Sequence, residues 1–131
     1  MSNSSESPGA FLKQAASLLG ASGVALGALG AHALHPKLVE RGVLDSWRTA
    51  VLYQLFHATS ILGVAALCES ADSASTARLQ RAGQLIAVGT TLFSGSIYML
   101  CFGVGPKKLV GPTTPIGGFV MLSGWVMLGF S

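Results

Sequence analysis

The side chains best suited to chemistry in this sequence lie in one uncharged segment. His57 stands within the apolar run LFHATSILGV, and no aspartate, glutamate, lysine or arginine occurs between Arg48 and Glu69. Tyr53 and Gln54 precede His57 by four and three residues, a spacing that places all three side chains on one side of a helix. A neutral imidazole donates a hydrogen bond through one ring nitrogen and accepts through the other. Tyr53, Gln54 and His57 are therefore the candidate intramembrane polar cluster.

Two interpretations of His57 are open at this point. In the first, the cluster binds a proton or a ligand, since ionisable side chains inside a membrane usually mark such sites. In the second, His57 is a structural residue, hydrogen-bonded to a carbonyl of helix 1 or helix 4 or to a serine or threonine hydroxyl. In both, burial disfavours the imidazolium, and an unpaired ring in hydrocarbon is costly. We therefore expect a neutral ring inside the bundle, with helix 1 near it.

Two further histidines widen the choice of chemistry. His32 and His35 stand three residues apart at the end of the first predicted helix, and with His57 they offer ligands for a metal or a haem iron. The sequence lacks the carboxylate–histidine spacing of catalytic zinc and any Cys-x-x-Cys pair. It also lacks a glycine-rich phosphate loop after a strand, a nucleophile elbow and paired carboxylates. We expect no catalytic residue, no metal and no cofactor.

The charged residues show which elements must position these side chains. All eight Lys and Arg and all five Asp and Glu lie outside four windows, residues 14–36, 49–68, 82–106 and 109–131. A hydrocarbon core of about 30 Å requires about 20 helical residues, and each window is long enough. A soluble four-helix bundle would need a polar stripe on each helix, for which VALGALGA and GGFVMLSGWVMLGF offer only Gly, Ser, Thr and Trp. The sequence predicts an all-α integral membrane four-helix bundle.

The predicted domain covers residues 11–131 and follows a polar leader, residues 1–10, that we expect to be mobile. Its helices are predicted at about residues 11–34, 49–68, 79–102 and 114–130. Thr113 or Thr114 can cap the last helix, with Pro115 in its first turn. The polar segment ESADSASTA is predicted to be a turn.

A short amphipathic segment separates helices 1 and 2. Within residues 36–47, Val39, Val43 and Trp47 share one face, and charged side chains occupy the others. The segment is too short and too charged to span a bilayer. It is therefore predicted to lie at the membrane interface, with Trp47 at headgroup depth.

Helix 1 carries small residues at helical spacing. Ala16, Gly20, Gly23, Gly27 and Ala31 follow one another at intervals of four, three, four and four residues. Small side chains on one face let helix backbones approach closely in lipid, where packing drives association. This stripe is the candidate helix-packing face, within the chain or toward a partner.

The two cysteines end helices 2 and 3, which run in opposite directions. Cys68 and Cys101 are therefore predicted to lie at opposite membrane faces. Helices of about 30 Å separate them, whereas a disulfide joins Cα atoms less than about 7 Å apart. We expect both thiols to be unpaired.

Several motifs together resemble the small transmembrane protein 256-like family. They are GALGAHAL at residues 27–34, Trp47 with TAV at 49–51, YQ and HA around His57, FSGSIY at 93–98, TPIGG at 114–118 and Gly124-Trp125. The resemblance covers about residues 15–130. It implies a compact four-helix membrane protein of bacterial and eukaryotic, particularly mitochondrial, membranes, without an established activity. The Ser-rich leader and the polar ESADSASTA turn depart from the family pattern.

Two classes of function follow from these features. The first is a structural or accessory protein that packs against a larger membrane complex, with membrane lipids and other membrane protein subunits as partners. The second is a small transporter or channel that uses the His57 cluster. Carriers usually couple ions through a charged intramembrane residue, and the four windows contain none, which favours the first class. We expect neither an enzyme nor nucleic-acid binding, and a mitochondrial inner membrane rather than a plasma membrane.

Four spans place both termini on the same side of the membrane. We predict that single-cysteine variants at Ser4, Ser75 and Ser131 react with an impermeant maleimide from one side only, in a background without Cys68 and Cys101. Labelling of Ser4 and Ser131 from opposite sides would show that the number of spans is odd.

Overall fold

The computed structural model describes residues 6–131, and this part of the chain is all-α. Its five helices are α1 (Ala10–Ala31), α2 (His35–Glu40), α3 (Leu44–Cys68), α4 (Ser73–Phe102) and α5 (Lys107–Gly129). No strand occurs within residues 6–131. The first five residues of the predicted leader lie outside the described residues, and its last residue, Ala10, already belongs to α1. The helix count is five because the segment predicted to be interfacial contains α2.

Three of the helices are long and apolar enough to cross a membrane, namely α1, α3 and α4. The fifth helix has 23 residues and is comparably long. Its first half contains Pro112, Thr113, Thr114 and Pro115, which lower its hydropathy below that of the other three.

The helices α3 and α4 begin earlier than the charge pattern predicted. Helix α3 begins at Leu44 rather than near residue 49, directly after Gly42, whose φ of +68° reverses the chain behind α2. Helix α4 begins at Ser73 rather than near residue 79, so most of ESADSASTA is helical. The first turns of both helices contain charged and polar residues. These turns lie outside the apolar windows, so the charge pattern did not include them in the predicted helices.

Asp72 explains where α4 begins. Its Oδ1 accepts hydrogen bonds from the backbone N–H groups of Ala74 and Ser75, at 3.0 Å each. The backbone N–H and the hydroxyl of Ser75 stabilise the ionised carboxylate and hold the pKa of Asp72 below its usual value. A carboxylate in this position satisfies the free N–H groups of the first helical turn.

The predicted start of the last helix is wrong. Helix α5 begins at Lys107 after Pro106, so Thr113 and Thr114 lie inside the helix rather than at its cap. Thr113 Oγ1 donates to Leu109 O one turn earlier, at 2.7 Å. Pro112 follows Gly111, which has no Cβ to clash with the proline ring.

The helices α3 and α4 form an antiparallel central pair that the other two long helices flank. Helix α1 packs mainly against α3 and touches α4, whereas α5 packs along α4. A cluster of buried apolar side chains joins α1, α3 and α4, and it includes Leu12, Ile61 and Ile86. A second cluster around Trp47 lies near the opposite end of α3.

Trp47, predicted to lie at headgroup depth, packs inside the protein rather than facing outward. Its side chain is only 2% exposed, and its indole N–H donates to Leu26 O at 3.0 Å. The ring packs against Tyr98 at 4.7 Å and Phe102 at 5.4 Å between centroids. Leu38 is the fully buried residue of α2, whereas Val39, predicted to share a face with Trp47, is 52% exposed.

The stripe of small residues on α1 packs against α3, with one change of membership. Ala16 and Gly23 are buried, and Gly20 and Gly27 are half-buried. Ala31 is exposed, and Gly30 is buried in its place. A Cβ atom on Gly30 would collide with the indole of Trp47. The close approach of α1 to α3 therefore depends on glycine at the position that receives this tryptophan.

The closest approach of two backbones lies between α4 and α5. A Cβ atom on Gly117 would lie 2.5 Å from Phe93 N and 2.9 Å from Gly89 O. A Cβ atom on Gly89 would in turn collide with the backbone of Met121. About two turns further along, a Cβ on Gly124 would lie 2.9 Å from Ala82 O. These glycines let the two helices pack backbone to backbone.

We predict that Gly117→Ala destabilises the fold by about 1–3 kcal/mol, because the added methyl meets backbone atoms that move only with the whole helix. Thermal unfolding in detergent, followed by circular dichroism, measures the effect. Gly63→Ala is the matched control, since a Cβ there meets nothing within 4 Å. Equal stability of the two variants would show that the α4–α5 contact is not close.

Candidate functional site

Gln54 is the residue that links three helices through hydrogen bonds. Its Nε2 donates to Leu19 O at 2.9 Å and to Ser22 Oγ at 2.8 Å, both on α1. Its Oε1 accepts from the hydroxyl of Tyr98 on α4, at 2.8 Å. The amide is 4% exposed, and both of its donor hydrogens and its oxygen are used. Gln54 therefore fixes α1 and α4 against α3.

His57 forms a hydrogen bond through each ring nitrogen. Its Nδ1 lies 2.7 Å from Tyr53 O, one turn earlier on α3. Its Nε2 accepts from the indole Nε1–H of Trp125 on α5, at 3.1 Å. An indole nitrogen is only a donor, so Nε2 must be unprotonated and Nδ1 must carry the hydrogen. These partners define a neutral ring in one tautomer.

Two of the three residues of the predicted cluster lie side by side, because the rings of Tyr53 and His57 stack with centroids 5.8 Å apart. Gln54 faces α1 and α4, whereas His57 faces α5. The ring of Tyr53 packs against Phe93 with centroids 4.7 Å apart, and its side chain is 40% exposed. The two hydrogen-bond partners of the His57 ring lie on α3 and α5, and neither lies on α1, the helix expected near it. Gln54 and His57 therefore belong to two separate sets of hydrogen bonds rather than to one site.

Tyr98 and Trp125 complete these two contacts. Neither residue was assigned to the polar cluster from the sequence. Each is an aromatic residue with one polar atom in an otherwise apolar helix, and such residues usually bury the ring and pair the polar atom. That signal marks Tyr98 and Trp125 as hydrogen-bonding residues. It does not identify their partners, which depend on how the helices are rotated.

Hydroxyl groups add further hydrogen bonds between the helices. Ser94 Oγ donates to Ala50 O at 2.7 Å and connects α4 to α3. Ser96 Oγ and Thr114 Oγ1 lie 2.6 Å apart and connect α4 to α5. Throughout residues 6–131, every buried side-chain nitrogen and oxygen has a hydrogen-bond partner. No buried polar group is left to hold a ligand in this part of the chain.

The other candidate ligands do not gather into a centre. Within residues 6–131, no three His, Cys, Asp or Glu side chains lie together in a geometry that could hold a metal ion. Cys68 and Cys101 are both buried and free, as predicted. Cys68 is the last residue of α3, and Cys101 Sγ contacts Val43 O at its other end, at 3.8 Å. The two thiols are thus separated by the length of α3.

The geometry around His57 favours a structural role. The ring is 5% exposed and is surrounded by the aromatic rings of Tyr53, Phe56 and Trp125. Binding a proton or a metal at Nε2 would break the hydrogen bond from Trp125. A working site would instead leave one nitrogen free or bridged to a movable group.

Comparisons with known proteins place this chain in a family. Residues 26–118 match the family model described as "Protein of unknown function (DUF423)". The chain is 39% identical over 116 residues to UPF0382 membrane protein C1782.12c of Schizosaccharomyces pombe, covering 86% of this chain and 93% of that protein. It is 36% identical over 105 residues to UPF0382 membrane protein YwdK of Bacillus subtilis, covering 80% and 81%.

A third relative is the UPF0382 inner membrane protein YgdD of Escherichia coli, 37% identical over 107 residues, covering 80% of this chain and 76% of that protein. No solved structure matches the chain with significance. The relatives are named as membrane proteins, and their names carry no activity. The resemblance drawn from the motifs agrees with them in kind, since both describe small membrane proteins of unknown function.

We predict that His57→Leu destabilises the fold by about 1–3 kcal/mol, because it leaves the Trp125 N–H without an acceptor in an apolar environment. His57→Gln should lose much less, since an amide oxygen can accept from the indole. Thermal unfolding in detergent compares the two variants.

A double-mutant cycle with Trp125→Phe isolates the contact. The double variant His57→Leu/Trp125→Phe should be more stable than the sum of the single losses predicts, since no unpaired group remains. Strictly additive losses would contradict the hydrogen bond between the two rings.

Proposed function

The chain belongs to the DUF423 family of membrane proteins, and on this premise we propose that it is a multi-pass protein whose role is structural or accessory within a larger membrane complex. In this proposal α1, α3, α4 and α5 span the bilayer and α2 lies at its surface. Both termini then share one side.

The fourth span is supported by the surface of α5. No charged residue follows Lys108, so the rest of the helix is uncharged. Its outward face carries large apolar side chains, of which Phe119 is 73%, Leu122 57% and Val126 53% exposed. Its polar and small residues, including Thr114 and Gly117, contact α4 instead. A helix with apolar residues outward and small or polar residues inward is suited to lipid on its outer side.

The observation that carries the accessory role is the complete pairing of the buried polar groups. Gln54 and His57 are the residues best suited to binding or proton transfer, and each is fully used in joining helices of this chain. Polar residues that join helices stabilise a membrane bundle and leave no path for an ion or substrate. The proposal therefore assigns no catalytic residue, metal or cofactor to the chain.

The partner surface in this proposal differs from the one that the small-residue stripe suggested. That stripe on α1 packs against α3, so it is not free to meet another subunit. The exposed apolar faces of the long helices remain for contact with lipids and with other membrane protein subunits. Leu18 on α1 and Phe119 on α5 are the most exposed large apolar residues within these helices, at 73% each.

We place the protein in the mitochondrial inner membrane as part of the same proposal. The family includes bacterial proteins, one of them named as an inner membrane protein, and a fungal protein. The mitochondrial inner membrane, which is of bacterial type, is the eukaryotic membrane that best accommodates both the bacterial and the fungal relatives. Fractionation of eukaryotic cells that express the tagged chain checks this location, and enrichment in the plasma membrane would contradict it.

We predict that the tagged chain, extracted with a mild detergent such as digitonin, migrates on a native gel as part of a complex much larger than a dimer. Mass spectrometry of that band should contain other membrane subunits in constant ratio to the chain. The His57→Gln variant should remain in the complex, because the bundle keeps its helix contacts.

An unrelated multi-pass protein of similar size with the same tag serves as the control. Migration of the chain solely as a monomer or dimer in the mild detergent would contradict the accessory role. Loss of the complex in His57→Gln at unchanged thermal stability would show that this side chain does more than hold the helices together.

A further inference from the structure

A cleft opens between α3 and α5 at the end of the bundle that carries α2. It has a volume of about 340 Å³ and is lined by residues of three helices, among them Ser46, Thr49, Ile97, Cys101, Gly111 and Thr114. This volume is within the range of small-ligand pockets in proteins. Further along the two helices, the hydrogen bond between His57 and Trp125 joins α3 to α5 and closes the gap. The gap between α3 and α5 is thus bridged toward the middle of the bundle.

Three residues with hydroxyl groups line this cleft, and one of them, Thr114, pairs with a hydroxyl of α4. Most hydroxyls of the long helices likewise have a partner in the chain, as Ser60 and Thr91 do. Ser46 and Thr49 have no hydrogen-bond partner among residues 6–131, and both line the cleft. They lie three residues apart on α3, so their hydroxyls face the same side. Two free donors are therefore available to an acceptor within the cleft.

Cationic side chains surround the mouth of the cleft. Arg41 Nε donates to the carbonyl of Cys101, a lining residue, at 2.8 Å, which holds the guanidinium beside the opening. Lys107 precedes Gly111 by four and Thr114 by seven residues, so it lies on the face of α5 that lines the cleft, one turn closer to the surface.

This end of the bundle is positive as a whole. It carries Lys37, Arg41, Arg48, Lys107 and Lys108, five cations, against the two carboxylates Glu40 and Asp45. Asp45 lies 4.0 Å from Arg48, and both side chains are exposed to solvent. The remaining positive charge suits an anionic group at the membrane surface.

A second cleft, between α1 and α4, lacks these features. It has a similar volume of about 350 Å³ and is lined almost entirely by apolar side chains, including Phe11, Leu18 and Val88. Its one lining hydroxyl, Thr91 Oγ1, donates to Ala87 O at 2.9 Å. The comparison shows that free hydroxyls and cations occur together at the α3–α5 cleft.

We propose that the α3–α5 cleft binds one anionic phospholipid. The phosphate lies between Arg41 and Lys107, the ester groups accept hydrogen bonds from Ser46 and Thr49, and one acyl chain packs against Ile97. Basic pockets between membrane helices at the surface are suited to anionic headgroups. The inference rests on the spanning arrangement proposed above but not on the accessory role.

Gly111 lies in the wall of the cleft, where a larger side chain would fill it. Beyond its two chain neighbours, a Cβ at this position meets nothing within 4 Å, so Gly111→Leu projects a side chain into the cleft. Gly111→Ala adds the same Cβ before Pro112 without filling the cleft, and it is the control for strain at the proline. Gly95 on α4 also has nothing within 4 Å of an added Cβ and is not part of the cleft, so Gly95→Leu is the matched control. Lys107→Gln removes the exposed cation at the mouth.

The test is native mass spectrometry of the purified full chain, titrated with phosphatidylglycerol or with phosphatidylcholine of the same acyl chains. We expect the chain to bind phosphatidylglycerol about tenfold more tightly, and Lys107→Gln to weaken that binding about fivefold, the effect of one lysine near an anionic surface. Gly111→Leu should abolish tight binding of either lipid, and Gly95→Leu should bind as the natural chain does. Thermal unfolding establishes that all variants are folded.

The proposal would be overturned by equal affinity for the two lipids, by binding of Gly111→Leu equal to that of the natural chain, or by unchanged selectivity in Lys107→Gln. Equal loss of binding in Gly95→Leu and Gly111→Leu would also overturn it. A chain that binds neither lipid but loses a co-purified protein subunit in Gly111→Leu would show that a partner occupies the cleft. Failure of the accessory role would leave these lipid titrations unchanged, because they use the isolated chain.

Discussion

A polar side chain surrounded by hydrocarbon must find its hydrogen-bond partner within the protein, and the arrangement of this bundle depends on that constraint. Gln54 satisfies it by bonding to α1 and α4 at once, and His57 satisfies it by bonding to its own helix and to α5. Each helix is therefore held in rotation as well as in position, since a rotated helix would break a hydrogen bond that no water can replace. Apolar packing alone would allow many rotations of nearly equal energy, because the lipid tails are as apolar as the side chains.

The short distances that these hydrogen bonds require are possible because glycine lies at the helix contacts. Gly117 and Gly89 bring α4 and α5 together backbone to backbone, and Gly30 makes room for the indole of Trp47 between α1 and α3. Close packing and polar pairing therefore support each other. The cost is conformational, since glycine in a helix is less favourable than alanine, and the contacts across the helices offset it.

Composition was sufficient to predict the all-α fold class. Local sequence rules were insufficient to predict the helix ends and the pairing of helix faces. The absence of charge from long windows predicted the apolar helices, because burying a charge in lipid is too costly. Predicted helix ends were wrong where they depended on local sequence signals alone. Pro115, for example, was interpreted as part of a helix start, and it lies inside α5. His57 was correctly expected to have partners inside the bundle, and Gln54 has its partners there too. Their partners Tyr98 and Trp125 were not predicted, because the pairing of helix faces depends on the whole bundle rather than on the spacing within one helix. The packing of Trp47 inside the protein was not predicted for the same reason.

The central claim of this account is that His57 is a structural side chain whose two nitrogens are both engaged. Nitrogen-15 NMR of histidine-labelled protein in lipid nanodiscs tests it directly, with the His57→Gln variant identifying the resonances of His57 among those of His32 and His35. The account predicts a neutral ring with the hydrogen on Nδ1 and an unprotonated Nε2 that accepts from the indole of Trp125. A ring protonated at Nε2, either as the other neutral tautomer or as an imidazolium, would contradict the account, since the bond to Trp125 could not then exist.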